Sequence, residues 1–186
     1  FSEKEKTAYR YDLQGNLLEA AGAEGTTVFS YNVFHQQTAV TMSDGKRLEN
    51  QYDAEYLRAG MVENGTVTTF SYHNGELLAE SSPDGDTISR YIPGYGVAAG
   101  WNREYNGYHY YHLDEQNSTA YITGSSGEIE NQYGYDAFGV LQNSREELHN
   151  RILYTGQQYD QTSGQYYLRA RFYNPVLGRF VQEDVY

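Results

Sequence analysis

The sequence lacks cysteine altogether, holds three prolines and one tryptophan, and has no apolar run near the ~20 residues that span a bilayer. Without cysteine there is no disulfide framework, no thiolate nucleophile and no cysteine-ligated zinc or iron–sulfur centre. Basic side chains are also scarce. Thirteen Lys and Arg stand against 25 Asp and Glu, for a net charge of −12 over 186 residues. Neutralising a phosphate backbone requires a basic face, so nucleic acid is excluded as the expected partner. No charged-then-apolar start marks a signal peptide, and with Phe1 in first place the chain reads as an excerpt of a longer protein.

What is abundant is aromatic and turn-forming: 21 tyrosines, 7 phenylalanines and 19 glycines. Such a composition favours strands and tight turns, in a length that suits a single domain.

Two markers recur along the chain. Tyr11-Asp12, Tyr31-Asn32, Tyr52-Asp53, Tyr72-His73, Tyr91-Ile92, Tyr111-His112, Tyr135-Asp136 and Tyr159-Asp160 follow at steps of 20, 21, 20, 19, 20, 24 and 24 residues. Half a repeat out of phase, turn signals end in Gly25, Gly45, Gly65 and Gly85, and Asn106-Gly107 and Ser126-Gly127 continue them. Two independent markers with one period define a structural repeat. Asp-Gly and Asn-Gly favour the positive dihedrals of hairpin turns. The segments between them are rich in β-branched and aromatic residues, as in Thr66 to Tyr72, where alternation sets Phe70 and Tyr72 against Val67, Thr69 and Ser71. Each unit therefore holds two short strands and two turns. One hairpin cannot bury its aromatic face alone, so consecutive hairpins are expected to stack into an extended, curved antiparallel sheet, all β. The rhythm loosens after Tyr121. Ser144 to Glu147 has the spacing of a helix capping box, which predicts at most one helical turn in a loop there.

Tyr11-Asp12-Leu13-Gln14-Gly15-Asn16-Leu17 resembles the founding motif of the YD-repeat, or Rhs (rearrangement hot spot), family. Tyr135-Asp136-Ala137-Phe138-Gly139 is similar to its Tyr-Asp-x-Phe-Gly variant. The stretches Tyr154 to Asp160 and Gly164 to Phe180 resemble the Rhs-associated core signature. This resemblance implies a YD-repeat array over residues 1–134 and an Rhs-associated core over residues 135–186. It also implies a strip of a spiralling β-shell that encloses and releases a C-terminal toxin domain, in a secreted or cell-surface parent. The partners implied are the rest of the shell, the enclosed toxin domain and a shell-closing or delivery component. The core of many members cleaves itself by an aspartyl mechanism. Asp184, thirteen residues after Arg171, resembles that site's first aspartate and its arginine, and the second aspartate would fall beyond Tyr186. As a fragment, the chain is then a structural piece and not an enzyme, and no cofactor or metal is implied. Two positions depart from the family's pattern: Asn174 replaces an aspartate, and Val185 replaces a proline.

The same residues admit other readings. The tyrosines could form a carbohydrate- or protein-binding surface of an extracellular module, with Trp101 as the best platform. Cross-strand packing is preferred, because a recognition surface need not recur in every hairpin. His109 and His112, three apart on a strand, should face opposite sides and share no metal. Ser125 and Ser126 miss the nucleophile-elbow spacing and read as a turn. Glu146 and Glu147 read as surface charge, not an acid–base pair. Alternation over Tyr167 to Tyr173, if extended, predicts Arg169, Arg171 and Tyr173 on one face, with Arg171 partly buried and hydrogen-bonded.

Overall fold

The structure, a computed structural model, describes residues 7–183. Fourteen strands follow one another both in the chain and in one antiparallel sheet. They are β1 (Ala8–Tyr11), β2 (Leu17–Gly22), β3 (Gly25–Tyr31), β4 (Gln37–Thr41), β5 (Arg47–Tyr52), β6 (Arg58–Glu63), β7 (Thr66–His73), β8 (Glu76–Ser81), β9 (Thr87–Gly94), β10 (Gly96–Asn102), β11 (Gly107–Leu113), β12 (Thr119–Thr123), β13 (Ile129–Tyr135) and β14 (Leu141–Glu146). The sheet does not close, since β1 and β14 are not paired. A second antiparallel sheet holds β15 (Gln158–Asp160), β16 (Gln165–Leu168), β17 (Arg171–Asn174) and β18 (Arg179–Phe180).

The Tyr-Asp marker and its variants have a physical meaning at the ends of β1, β3, β5, β11 and β13, the tyrosine being replaced by Leu113 on β11. The acidic or amide side chain of Asp12, Asn32, Asp53, Asp114 and Asp136 accepts hydrogen bonds from the main-chain N–H groups two and four residues on. The residue three on takes a positive φ: Gly15 at 81°, His35 at 61°, Tyr56 at 65°, Asn117 at 63° and Gly139 at 88°. Side chains of this length and charge cap turns because they offer oxygens to N–H groups that no strand partner satisfies. Replacing Asp53 by alanine should therefore cost about 0.5–2 kcal/mol in urea unfolding, the range of a lost helix cap, whereas Asp53→Asn should cost much less. Equal losses in the two variants would show that charge, not capping geometry, matters.

The tyrosine before the cap does a second job. The hydroxyls of Tyr31, Tyr52 and Tyr135 donate to the carbonyls of Leu17, Gln37 and Thr119, each the first residue of the preceding even strand. At the same place the register slips, so that Leu18, Thr38, Ala59, Leu78, Ala120 and Gln142 are each an extra residue opposite the odd strand. A bulge bends its strand and adds twist. Repeated at nearly every hairpin, it makes the strip coil.

The turn glycines expected from the sequence, Gly25, Gly45, Gly65 and Gly85, all have positive φ, between 86° and 114°. Phe70 and Tyr72 face inward while Val67, Thr69 and Ser71 are exposed, as alternation requires. His109 and His112 also face opposite sides: His109 is buried against Glu130, and His112 bonds Thr123 outside. Two expectations fail. Ser144 to Glu146 continue β14 rather than form a helical turn, because buried Asn131 accepts from the N–H groups of Glu147 and Leu148 and holds the chain extended. Tyr167 to Tyr173 is not one extended run. Arg169 takes φ 61° in the turn between β16 and β17, so Leu168 pairs with Arg171 and Arg169 leaves their face.

The four-stranded sheet and residues 147–157 cover one face of the large sheet. Leu17, Phe29 and Val40 pack with Tyr167, Phe172 and Val181. Leu48, Met61, Phe70, Leu77 and Tyr91 gather around Ile152, and Ile122 and Tyr133 meet Leu148, Leu153 and Tyr166. Main chain also joins the layers: Leu17 N donates to Val181 O at 2.8 Å, and Thr119 N to Leu153 O at 3.1 Å. After β14 has joined the large sheet, the chain crosses to its inner face and stays there through the described residues.

Candidate functional site

On β2, β4, β6, β8 and β12 the residue just before the bulge faces inward: Leu17 and Leu77 are apolar there, Gln37 and Thr119 are buried and uncharged, and Arg58 on β6 is fully buried. Three residues further on, Val40, Met61 and Ile122 are core residues, and on β8 the equivalent is Glu80, 1% exposed. Two charges therefore sit at inward positions that these other repeats fill with uncharged side chains. Isolated, each would carry a desolvation cost of several kcal/mol.

The terminal segment supplies their partners. Asp160, at the end of β15, accepts from Arg58 Nη1 at 2.6 Å through Oδ2 and meets Arg151 Nη1 at 3.4 Å through Oδ1. Arg151 Nε lies 3.1 Å from Glu80 Oε2, and Tyr91 donates its hydroxyl to Glu80 Oε1. His149 Nε2 approaches Glu80 Oε2 at 3.3 Å. The result is an alternating chain, Arg58–Asp160–Arg151–Glu80, that runs between the two layers with its formal charges balanced. Amides take two further N–H groups: Arg58 Nη2 donates to Gln158 Oε1 at 2.9 Å and Nη1 to Asn50 Oδ1 at 3.3 Å. The Arg58 guanidinium also lies 4.5 Å from the Tyr167 ring centroid and 5.0 Å from that of Phe70, while the Tyr167 hydroxyl accepts from Arg58 N. Nearby, Gln37 bonds Gln165 at 3.0 Å across the layers.

For Glu80, Arg58 and Arg151 burial disfavours the charged form, and the partners reverse that. Burial pushes Glu80 up, but Arg151 above all, with His149 and Tyr91, holds it far below the usual carboxylate range. Desolvation lowers Arg58 and Arg151, and their carboxylate neighbours raise both above the ordinary arginine value. Burial, then Glu80, drives the Tyr91 hydroxyl well up. A chain in which each charge faces an opposite one across the two layers is suited to holding them together.

Of the residues singled out from the sequence, Arg171 is half-buried at the start of β17, its guanidinium 3.8 Å from the Phe180 ring centroid. Asp184 lies outside the described residues. Trp101 is half-buried on the outer face beside Arg90. The sequence reading missed Arg58, Glu80 and Arg151 and took Asp160 as one more turn marker. Unlike Asp53, Asp160 turns its carboxylate inward to the two arginines. One signal could have found half of the set: aligned by repeat, Arg58 and Glu80 are charged where Leu17, Gln37, Leu77 and Thr119, or Val40, Met61 and Ile122, are uncharged.

The RHS Repeat family matches residues 11–47, across two Tyr-Asp turns of the geometry above. The chain carries Rhs, or YD, repeats. It is 30% identical over 181 residues to the tRNA(Glu)-specific nuclease WapA of Bacillus subtilis subsp. natto, and 31% identical to the tRNA3(Ser)-specific nuclease WapA of Bacillus spizizenii. Both alignments cover 94% of this chain and 8% of the relative, so the chain spans about 8% of the length of those curated relatives. In solved structures, a chain of the Photorhabdus luminescens Tc holotoxin pore, with a mutant TccC3, superposes with a TM-score of 0.68 at 16% identity. That match covers 96% of this chain and 12% of the other, and the likeness is one of fold. The Rhs strip and its covering sheet are thus found together in a toxin assembly.

Proposed function

We propose that this Rhs segment is a piece of shell wall with its inner plug, part of a secreted or cell-surface parent that encloses a C-terminal toxin domain. Its role here is structural. The carrying observation is the terminal sheet seated on one face of an unclosed, repeatedly bulged strip and fastened by the Arg58–Asp160–Arg151–Glu80 chain. The names of the WapA relatives, nucleases as whole proteins, support a toxic cargo. Enclosure predicts that, in the parent carrying its natural downstream sequence, the downstream domain resists added protease while the shell is intact. Digestion of that domain at the rate of an isolated copy would overturn the reading.

Within this reading Arg171 and Asp184 form half of a self-cleaving aspartyl centre. Such chemistry uses two carboxylates that share a proton, one ionised to activate water and one protonated to polarise the scissile carbonyl. A neighbouring guanidinium keeps one of them ionised or steadies the developing oxyanion. The half-buried, ring-stacked position of Arg171 supports the assignment, since a guanidinium held by Phe180 is preorganised. In the extended parent, cleavage during expression should disappear in Asp184→Asn and weaken in Arg171→Ala. Unchanged cleavage in Asp184→Asn ends the assignment without touching the shell reading.

A further inference from the structure

The outer face of the sheet carries a local concentration of aromatic surface that wall-building leaves unexplained. Arg90, Trp101 and Tyr108 are cross-strand partners in one row across β9, β10 and β11. Ile92 and Tyr110 flank Ala99 in the next outward row, and Tyr108 and Tyr110 are about half exposed. Outward positions on β3, β5 and β7 are mostly polar, as at Ser30, Glu49, Gln51, Thr69 and Ser71. Beside the aromatic row lies a trough of about 590 Å³, lined chiefly by Leu78, Ala79, Arg90, Ile92, Trp101 and Tyr108.

Arg90 shares with Arg169 and Arg179 the lack of a carboxylate partner among the described residues. Arg10, Arg47, Arg58, Arg103, Arg145 and Arg151 all pair with carboxylates. Among the described residues no carboxylate pairs with Arg90, and no acidic side chain lines the trough, although the whole chain carries −12. Its guanidinium rests 6.0 Å from the Trp101 ring centroid, which holds it in place. Tryptophan, tyrosine and arginine are the side chains that dominate binding energy at protein interfaces.

We propose that this trough docks a partner polypeptide through a short segment that sets an acidic side chain beside an apolar one. The carboxylate would meet Arg90, where the planar fork accepts it in bidentate fashion. The apolar side chain would cover Leu78, Ala79 and Ile92 between the Trp101 and Tyr108 rings. The lining favours a peptide over a sugar. A pyranose brings several hydroxyl donors, and the trough offers them no carboxylate or side-chain amide, only neutral hydroxyls such as those of Ser71 and Tyr108, while the Arg90 guanidinium calls for an anion. The proposal does not depend on the shell reading.

The test is selection of a random-peptide phage library on the full chain, followed by titration of the enriched peptides. Trp101 is the only tryptophan in the sequence, so its fluorescence reports on this trough alone. Enriched peptides should share an acidic residue next to an aliphatic or aromatic one and shift the Trp101 emission saturably. Arg90→Gln, Trp101→Ala and amide replacement of the peptide's acid should each weaken binding about tenfold or more, with the unfolding midpoint held. Three results overturn the proposal: enriched peptides without an acid, binding indifferent to Arg90→Gln, or displacement only by an oligosaccharide. Self-association abolished by Trp101→Ala would also overturn it, because a second copy would then occupy the trough.

Discussion

Replacing Asp160 by alanine should destabilise the chain by about 3–5 kcal/mol, because the change leaves two buried guanidinium groups facing each other without their shared counter-charge. Arg58 is fully buried and Arg151 is 6% exposed. Against a whole-domain stability of about 5–15 kcal/mol, this loss brings the fold close to its midpoint at room temperature. The decisive comparison is a cycle with Arg58→Met and Asp160→Leu. Each single change strands a charge, whereas the double variant removes the Arg58–Asp160 pair and puts hydrocarbon where the repeat places Leu17 and Leu77 in other hairpins. The double should be more stable than the sum of the singles by about 0.5–3 kcal/mol, read from urea midpoints. Additive losses would mean that the pair does not couple, and the fastening role would fall.

This cycle also marks how much of the molecule is legible in its sequence. The hairpins are, because their causes are local: Asp53 caps its own turn within four residues, and Gly45 supplies its own positive φ. The sheet order follows from the same fact, since each strand pairs with its neighbour in the chain. Arg58 and Asp160, by contrast, are 102 residues apart, and nothing near Asp160 distinguishes it from the capping aspartates until the arginines are in view. The failed helical turn at Ser144 has the same origin. Its local spacing is sound, but Asn131 in the adjacent strand offers the following N–H groups a better acceptor. The extended run assumed from Tyr167 to Tyr173 failed for a different reason: Arg169 adopts a positive φ that alternation alone does not reveal. What the repeat does expose is exception, and an exception shared by Arg58 and Glu80 at inward positions is the readable trace of the buried charge chain.

Glu80 gives the chain an acid-sensitive component whose sign is fixed by its neighbours. Arg151, His149 and Tyr91 face the carboxylate, and its folded-state pKa lies far below the unfolded value near 4.5. Above about pH 5.5 both states are ionised and the stabilisation is complete. As pH falls through the unfolded value, the unfolded chain binds a proton that the folded chain refuses. Stability therefore declines from there downward and goes on declining until the folded pKa is reached. Over that window one such carboxylate contributes a slope approaching about 1.4 kcal/mol per pH unit. Exposed carboxylates held down by their own partners, such as Glu19 and Asp44, add smaller contributions in the same direction, so a difference between proteins isolates Glu80. Glu80→Gln should be less stable at pH 7, because Arg151 loses a counter-charge, and its stability should fall less steeply between pH 4.5 and 2.5, by about one proton's worth. Urea unfolding of both proteins across that range measures the two slopes. Parallel curves would show that Glu80 titrates alike in the folded and unfolded chains, and that its contacts with Arg151 and Tyr91 do not hold it ionised.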